Sequence, residues 1–173
     1  HSARTQVYPD GTERYEGTLG TATGSPAPNG TEVANMILFN APVKGGSGSQ
    51  ATCSQMARKN IYERMGGFNE DFKRAEDTEF NLRFALSGGH FPGIAEPLVK
   101  QAMTPGFDKN LREERFYTIK MYERYTNYLA NHGRGTFDIK WMEIKYDFLE
   151  KRWLHFIVKF TFIGLSHPVL SGK

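Results

Sequence analysis

Two glycine pairs, Gly66-Gly67 and Gly88-Gly89, bracket the stretch of this chain whose pattern leaves least freedom. Glycine takes left-handed backbone angles at little cost, so a pair that closes an apolar-periodic run reads as a helix stop. Ahead of the first pair, residues 58–65 (RKNIYERM) place Ile61 and Met65 four apart, on one helix face. Ahead of the second, the spacing predicts a helix over residues 76–87, with Phe80 above Phe84 and Leu82 above Leu86. The segment between them holds Glu70, Asp71, Glu76, Asp77 and Glu79, with only Lys73 and Arg74 interspersed. The plainer account of Glu76 and Asp77 is helix-start chemistry, because acids in a first turn meet exposed N–H groups and are worth about 0.3–1 kcal/mol each. The other account is a site that needs a carboxylate at a fixed address.

The remaining pattern is mixed. Residues 5–16 carry Pro9-Asp10-Gly11 between two β-prone pieces, a turn signal. Residues 17–31, rich in Gly, Thr, Ser, Pro and Ala, read as a surface loop almost without core residues. The run 33–40 fits a buried strand or a helical turn equally well. Residues 50–57 (QATCSQMA) read as a strand, and so do residues 95–103, from just after Pro97. Asp108 or Asn110 is expected to cap a long helix over residues 110–131, with Leu111, Ile119, Tyr122, Tyr125 and Leu129 on one face. An aromatic and basic helical segment follows over residues 140–164. No internal repeat is visible.

A net charge of +3 and a pI near 9.0 permit an anionic partner without selecting one. The lone Cys53 forms no internal disulfide, reads as a small buried hydrophobe, and suits a reducing, cytoplasmic compartment. The opening residues have no charged or apolar leader and read as the continuation of a longer chain. His1, His90, His132, His155 and His167 are scattered without metal-ligand spacing, so a zinc site is not expected.

The string GGFNEDF, followed by an Ala-Glu-Asp and a helix, resembles the acceptor-side segment of family-2 glycosyltransferases of the GT-A fold. Gly66, Gly67, Phe68, Asn69, Glu70, Phe72, Glu76, Asp77, Phe80, Leu82 and Arg83 carry the likeness, which spans residues 50–105 and adds little beyond 110. It implies an α/β fold, α+β within the part present: the C-terminal half of a GT-A sheet flanked by helices over residues 1–107, then a helical extension over 108–173. It implies Asp77 as the general base that takes a proton from an acceptor hydroxyl, with inversion at the anomeric carbon, and Glu76 as a neighbour that orients acceptor or base. Gly66, Gly67, Phe68, Glu70 and Arg83 are expected to contact substrate, and Gln101 and Lys109 to face the donor phosphates. The implied partners are a nucleotide-sugar donor and a glycan or lipid-linked acceptor.

The family's Asp-x-Asp metal motif has no counterpart here, and GGSGS at residues 45–49 is not a phosphate-binding loop. A divalent metal, Mn or Mg, is therefore expected in the complete enzyme and not on this chain alone, which by itself is expected to be inactive. Relatives with a metal-binding His after the last sheet strand differ from this chain, which has KQAMTPG there. A sheet divided between two halves leaves open edges, so self-association is expected, by edge pairing or through the aromatic tail. That tail, richest from Trp153 to Leu165, is too short to span a bilayer. It reads as a packing helix or as a helix lying on the inner face of a membrane. The rival function is a non-catalytic basic module on an anionic membrane or nucleic acid; nucleic acid is disfavoured because the acids sit where a phosphate binder wants cations. A glycosidase is a third option, which requires two carboxyls about 5–10 Å apart across a cleft.

Overall fold

Pro9-Asp10-Gly11 reverses the chain as its residue types demand. Asp10 accepts from the Thr12 backbone N–H at 2.9 Å, Gly11 takes φ 82°, and Tyr8 and Thr12 close the turn at 2.9 Å. In this computed structural model, residues 1–22, 24–45, 48–104 and 110–167 are described. They form a mixed α/β structure with a three-stranded sheet and seven α-helices among them. The chain divides into two compact units, His1–Gly106 and Phe107–Lys173.

In the first unit β1 (Ser2–Val7) pairs antiparallel with β2 (Glu13–Glu16) and parallel with β3 (Ile94–Ala102), in the order β2-β1-β3. β3 begins before Pro97 rather than after it. Proline lacks the ladder N–H, and here it sits on an edge strand opposite Ala3, where the register shifts. The ambiguous run at 33–40 is part of helix α1 (Gly30–Phe39), which packs against α3 (Glu76–Leu86) through a core that includes Val33, Ala34, Leu38, Leu82 and Ala85. α2 (Lys59–Met65) ends at Gly66 as the sequence predicts.

Besides the start of β3, three expectations for this unit fail in whole or in part. Residues 50–57 form no strand; Thr52–Ser54 is a 3₁₀ turn. Its neighbourhood bonds to side chains and to itself instead of a ladder: Asn81 donates to the Gln50 carbonyl at 3.1 Å, and the Ser54 N–H donates to the Ala51 carbonyl at 3.1 Å. Cys53 is exposed on that turn, with an Arg4 N–H 3.2 Å from its sulfur. The loop after β2 is not coreless, because Leu19 is 0% exposed.

Leu19 is buried through a close backbone crossing. Gly93 N–H donates to the Gly20 carbonyl at 3.2 Å, and a Cβ on Gly93 would lie 1.8 Å from the Leu19 carbonyl oxygen. No side-chain motion relieves a clash with backbone.

In the second unit Asn110 caps α4 (Leu111–Arg124), accepting from the Arg112 N–H at 2.9 Å; Asp108 lies outside the described residues. The expected single helix over 110–131 is two, because the ladder shifts at Tyr125 before α5 (Thr126–Asn131). The Tyr125 N–H is shared between the Met121 and Tyr122 carbonyls at 3.3 and 3.1 Å. Leu111 is exposed rather than in the predicted apolar stripe, while Tyr122 and Leu129 are buried. The expected segment over 140–164 is also two helices, α6 (Phe137–Leu149) and α7 (Trp153–Ser166), folded back at Lys151, whose φ is 58°. Phe137, Ile144 and Ile163 form the core of this hairpin with Trp141 and Phe156 against them.

Gly93→Ala is expected to cost about 1–3 kcal/mol, the usual range for overpacking, read as a lower urea midpoint at unchanged slope. A change under about 0.5 kcal/mol would remove the crossing from the account of this loop.

Candidate functional site

Helix α3 carries the motif and is bolted on two sides. At about 100° per residue, Asp77, Asn81 and Phe84 share one side, while Glu79 and Arg83 share another. Its start is strained: Ala75, the N-cap, takes φ 58°, a left-handed angle that costs a non-glycine residue about 1 kcal/mol or more. Glu76, Asp77 and Glu79 fill the first turn, where the unpaired N–H groups favour negative charge.

Arg83 holds one side. Its Nε donates to both oxygens of Glu79 at 2.9 Å, and Glu79 is 0% exposed. One terminal nitrogen donates to the Gly67 carbonyl at 2.8 Å and the other to the Met65 carbonyl. The guanidinium thus fastens the end of α2 and both sides of the glycine pair to α3. Gly66 and Gly67 take φ 74° and 70°, angles that reverse the chain in two residues. Their N–H groups close α2 onto the Glu63 and Tyr62 carbonyls at 3.1 and 2.8 Å. Phe68 enters an aromatic group with Tyr62 and Phe80 at centroid distances of 6.0 and 5.1 Å. Glu70 is exposed beyond it, beside the Asn69 turn, where Asn69 accepts from the Asp71 N–H at 3.0 Å.

The other side of α3 grips residues 50–55. Asn81, fully buried, accepts from the Gln55 amide and donates to the Gln50 carbonyl, both at 3.1 Å. Asp77 is half-buried one turn earlier, about 6 Å along the axis. Its Oδ1 accepts from the Thr78 N–H at 2.7 Å and the Thr78 hydroxyl at 3.3 Å; its Oδ2 accepts only a long 3.4 Å bond from the Thr52 N–H. Glu76, also half-buried, precedes it in the same turn.

A cavity of about 500 Å³ opens beside this side of α3, lined among others by Gln55, Arg58, Arg64, Asn81, Phe84 and His90. A second, about 400 Å³, adjoins it past Gln55 and reaches Cys53 and Leu98. Gln55 Oε1 is buried, has no hydrogen-bond partner among the described residues, and borders both. Neither cavity is lined by Asp77 or Glu76.

Gln101 lies apart from these residues on β3, in register with Gln6, with its Oε1 buried and unpartnered. Gln6 and Arg4 both donate to Glu16 across the hairpin. Burial works against the Arg4 charge, but its hydrogen bonds to Glu16 and Cys53 and the Glu16 charge outweigh it and hold that pKa above the ordinary value. Lys109 lies outside the described residues. So Gly66, Gly67, Phe68 and Arg83 come together as one locked corner, Asp77 and Glu76 stand at the helix start, and Gln101 is elsewhere.

Reasoning from sequence missed Asn81 and Gln55. The signal for Asn81 was a polar residue between Phe80 and Leu82, four after Asp77, in an otherwise core-facing run. Among the described residues no three of His, Cys, Asp and Glu come together as a metal-holding group. Comparison of the chain with known protein families, with curated proteins and with solved structures finds no match.

Arg83→Met, which removes one partner of a buried carboxylate, is expected to destabilise by about 3–5 kcal/mol by chemical denaturation. It should also make the Gly66-Gly67 amides exchange with solvent faster than those of α1. Equal exchange at both places would show that Arg83 does not hold the corner.

Proposed function

We propose that this chain carries the acceptor-side part of an inverting glycosyltransferase of the GT-A fold, with Asp77 as the base. The observation that carries this reading is the state of Asp77. It is half-buried in the first turn of α3, with one oxygen fixed by Thr78 and the other holding a single 3.4 Å bond. A base for an alcohol needs that pairing of a locked rotamer and an oxygen with lone pairs to spare.

The acceptor hydroxyl gives its proton to Asp77 Oδ2 as its oxygen attacks the anomeric carbon of the donor sugar. The bond from that carbon to the nucleotide diphosphate breaks on the opposite face, which inverts the configuration. Glu76 adds negative charge and a second acceptor at the same helix start. The cavity one turn along supports a carbohydrate acceptor: the Gln55 amide oxygen, Arg58 and Arg64 offer hydrogen bonds to ring hydroxyls, and Phe84 offers an apolar face. The corner at Gly66, Gly67 and Phe68, held by Arg83, fixes the loop from which Glu70 extends. Gln101 and Lys109 stay assigned to the donor phosphates within this proposal, and the divalent metal is assigned to the complete enzyme rather than to this chain alone.

In the enzyme that contains this chain, Asp77→Asn should lower turnover by about 10²-fold or more with donor affinity unchanged. Asp77→Glu should restore part of it, and thermal unfolding should be unchanged in both variants. Turnover of Asp77→Asn within a few-fold of the parent would sink the assignment.

A further inference from the structure

Helix α7 is built with its charge inside. Its lysine, Lys159, faces α6 and pairs with Glu143 and Asp147, each at 3.0 Å. Burial works against the Lys159 charge, yet these two carboxylates hold its pKa above the ordinary value. Leu154, Ile157, Val158, Phe162 and Leu165 are 58–79% exposed, with Val158 and Phe162 bordering α6. At about 100° per residue they fill one sector of the helix. Thr161 is the polar residue within that sector, and its hydroxyl donates back to the Ile157 carbonyl at 2.9 Å. At the sector's edge His155 is exposed, and the Ser166 hydroxyl does the same as Thr161, to Phe162, at 2.8 Å. Hydroxyls turned back onto their own helix ask nothing of water.

The charge around this face is one-sided. Glu143, Asp147 and Glu150 are all engaged by Lys159, Arg115 or Arg152. Lys140 and Lys151 are exposed and, among the described residues, have no carboxylate partner. Lys140 Nζ lies 5.9 Å from the Phe162 ring, and beside it runs a groove of about 270 Å³ lined by Ile144, Val158, Phe162 and Ile163, with the Glu143–Lys159 pair at its wall. Of 22 Lys and Arg and 19 Asp and Glu, twelve and eight follow Gly106. The second unit therefore carries +4 and the first −1.

We propose that the outward face of α7 lies in the interfacial layer of a bilayer containing anionic phospholipid, with Lys140 and Lys151 at the headgroups. At 14 residues the helix is about 21 Å long, short of the roughly 30 Å hydrocarbon core, so it lies in the plane of the membrane. Among the described residues no helix is long and apolar enough to cross one. An anionic surface supplies what the face lacks, an apolar layer bordered by negative charge, and the groove beside Lys140 suits an acyl chain under a phosphate. A second copy would bring the same unpaired lysines against these. This inference stands apart from the glycosyl-transfer reading.

The test is sedimentation of the full chain with vesicles of phosphatidylcholine alone and of phosphatidylcholine with phosphatidylglycerol. Binding should be at least about tenfold tighter to the anionic vesicles and weaken with salt. Leu154→Gln with Leu165→Gln should lower it about tenfold or more, with far-UV circular dichroism unchanged because both side chains are exposed. Lys140→Gln with Lys151→Gln should lower the anionic preference about fivefold per lysine. Failure to sediment with either vesicle, or equal binding by parent and both variants, would overturn the proposal. So would a vesicle-free dimer abolished by the Leu154 and Leu165 changes, which would assign the face to a second copy.

Discussion

The geometry around α3 depends on one buried ion pair. Glu79 is 0% exposed, and a carboxylate in that position is tolerable only with its partner in place. Arg83 supplies the charge and spends its remaining donors on the Met65 and Gly67 carbonyls. Those carbonyls belong to a helix end, where the backbone has acceptors and no ladder to use them. One side chain thereby satisfies a buried anion and an exposed helix terminus together, and α2, the glycine pair and α3 become one body. Buried pairs contribute little net stability compared with apolar packing; what they fix is relative position. Asp77 inherits that position because it is on the same helix.

The second unit uses the same device with a different result. Asp147, 1% exposed, meets Arg115 of α4, Arg152 of the turn and Lys159 of α7. Three cations converge on one buried carboxylate, with Glu143 and Glu150 sharing the load. Because the lysine of α7 is consumed there, the rest of that helix has no charge to turn outward. An ordinary surface helix sends its apolar residues in and its lysines out. Here the electrostatics of α6 reverse the order, and the exposed apolar face follows from it.

Much of the local structure was legible in the sequence, where a residue type forces a backbone angle or a period. Pro9-Asp10-Gly11 gave the hairpin, Gly66-Gly67 the end of α2, Gly88-Gly89 the end of α3, and Asn110 the start of α4. What failed was set by partners distant in sequence. Residues 50–57 have strand-like composition, but Asn81, some thirty residues on, binds the Gln50 carbonyl and the Gln55 amide, and the backbone between them bonds to itself as a 3₁₀ turn. Cys53 was read as a core residue by its type, yet the turn directs it out toward Arg4. The breaks at Tyr125 and Lys151 fall within good helical periodicity, and neither carries a glycine or proline that would have marked it. At the candidate site the acids were visible from spacing, whereas the roles of Glu79 and Arg83 in holding them required the fold.

The polar residues on the Asp77 side of α3 divide their hydrogen bonds unequally. Asn81 uses an acceptor and a donor at 3.1 Å, both on residues 50–55, and is fully buried. That is a clamp, and it suffices to hold the segment. Asp77 adds to the same segment only a 3.4 Å contact with the Thr52 N–H, about the limit of a hydrogen bond. A residue selected only to hold the turn would make the shorter bond, and a neutral side chain would serve. The carboxylate instead has its rotamer fixed from below by Thr78 and its second oxygen weakly engaged. It also follows a backbone held at φ 58° by Ala75, where an unstrained helix entrance was available to a glycine. Within the proposed reading, the locked orientation and the weakly engaged oxygen are what a base at this address would use.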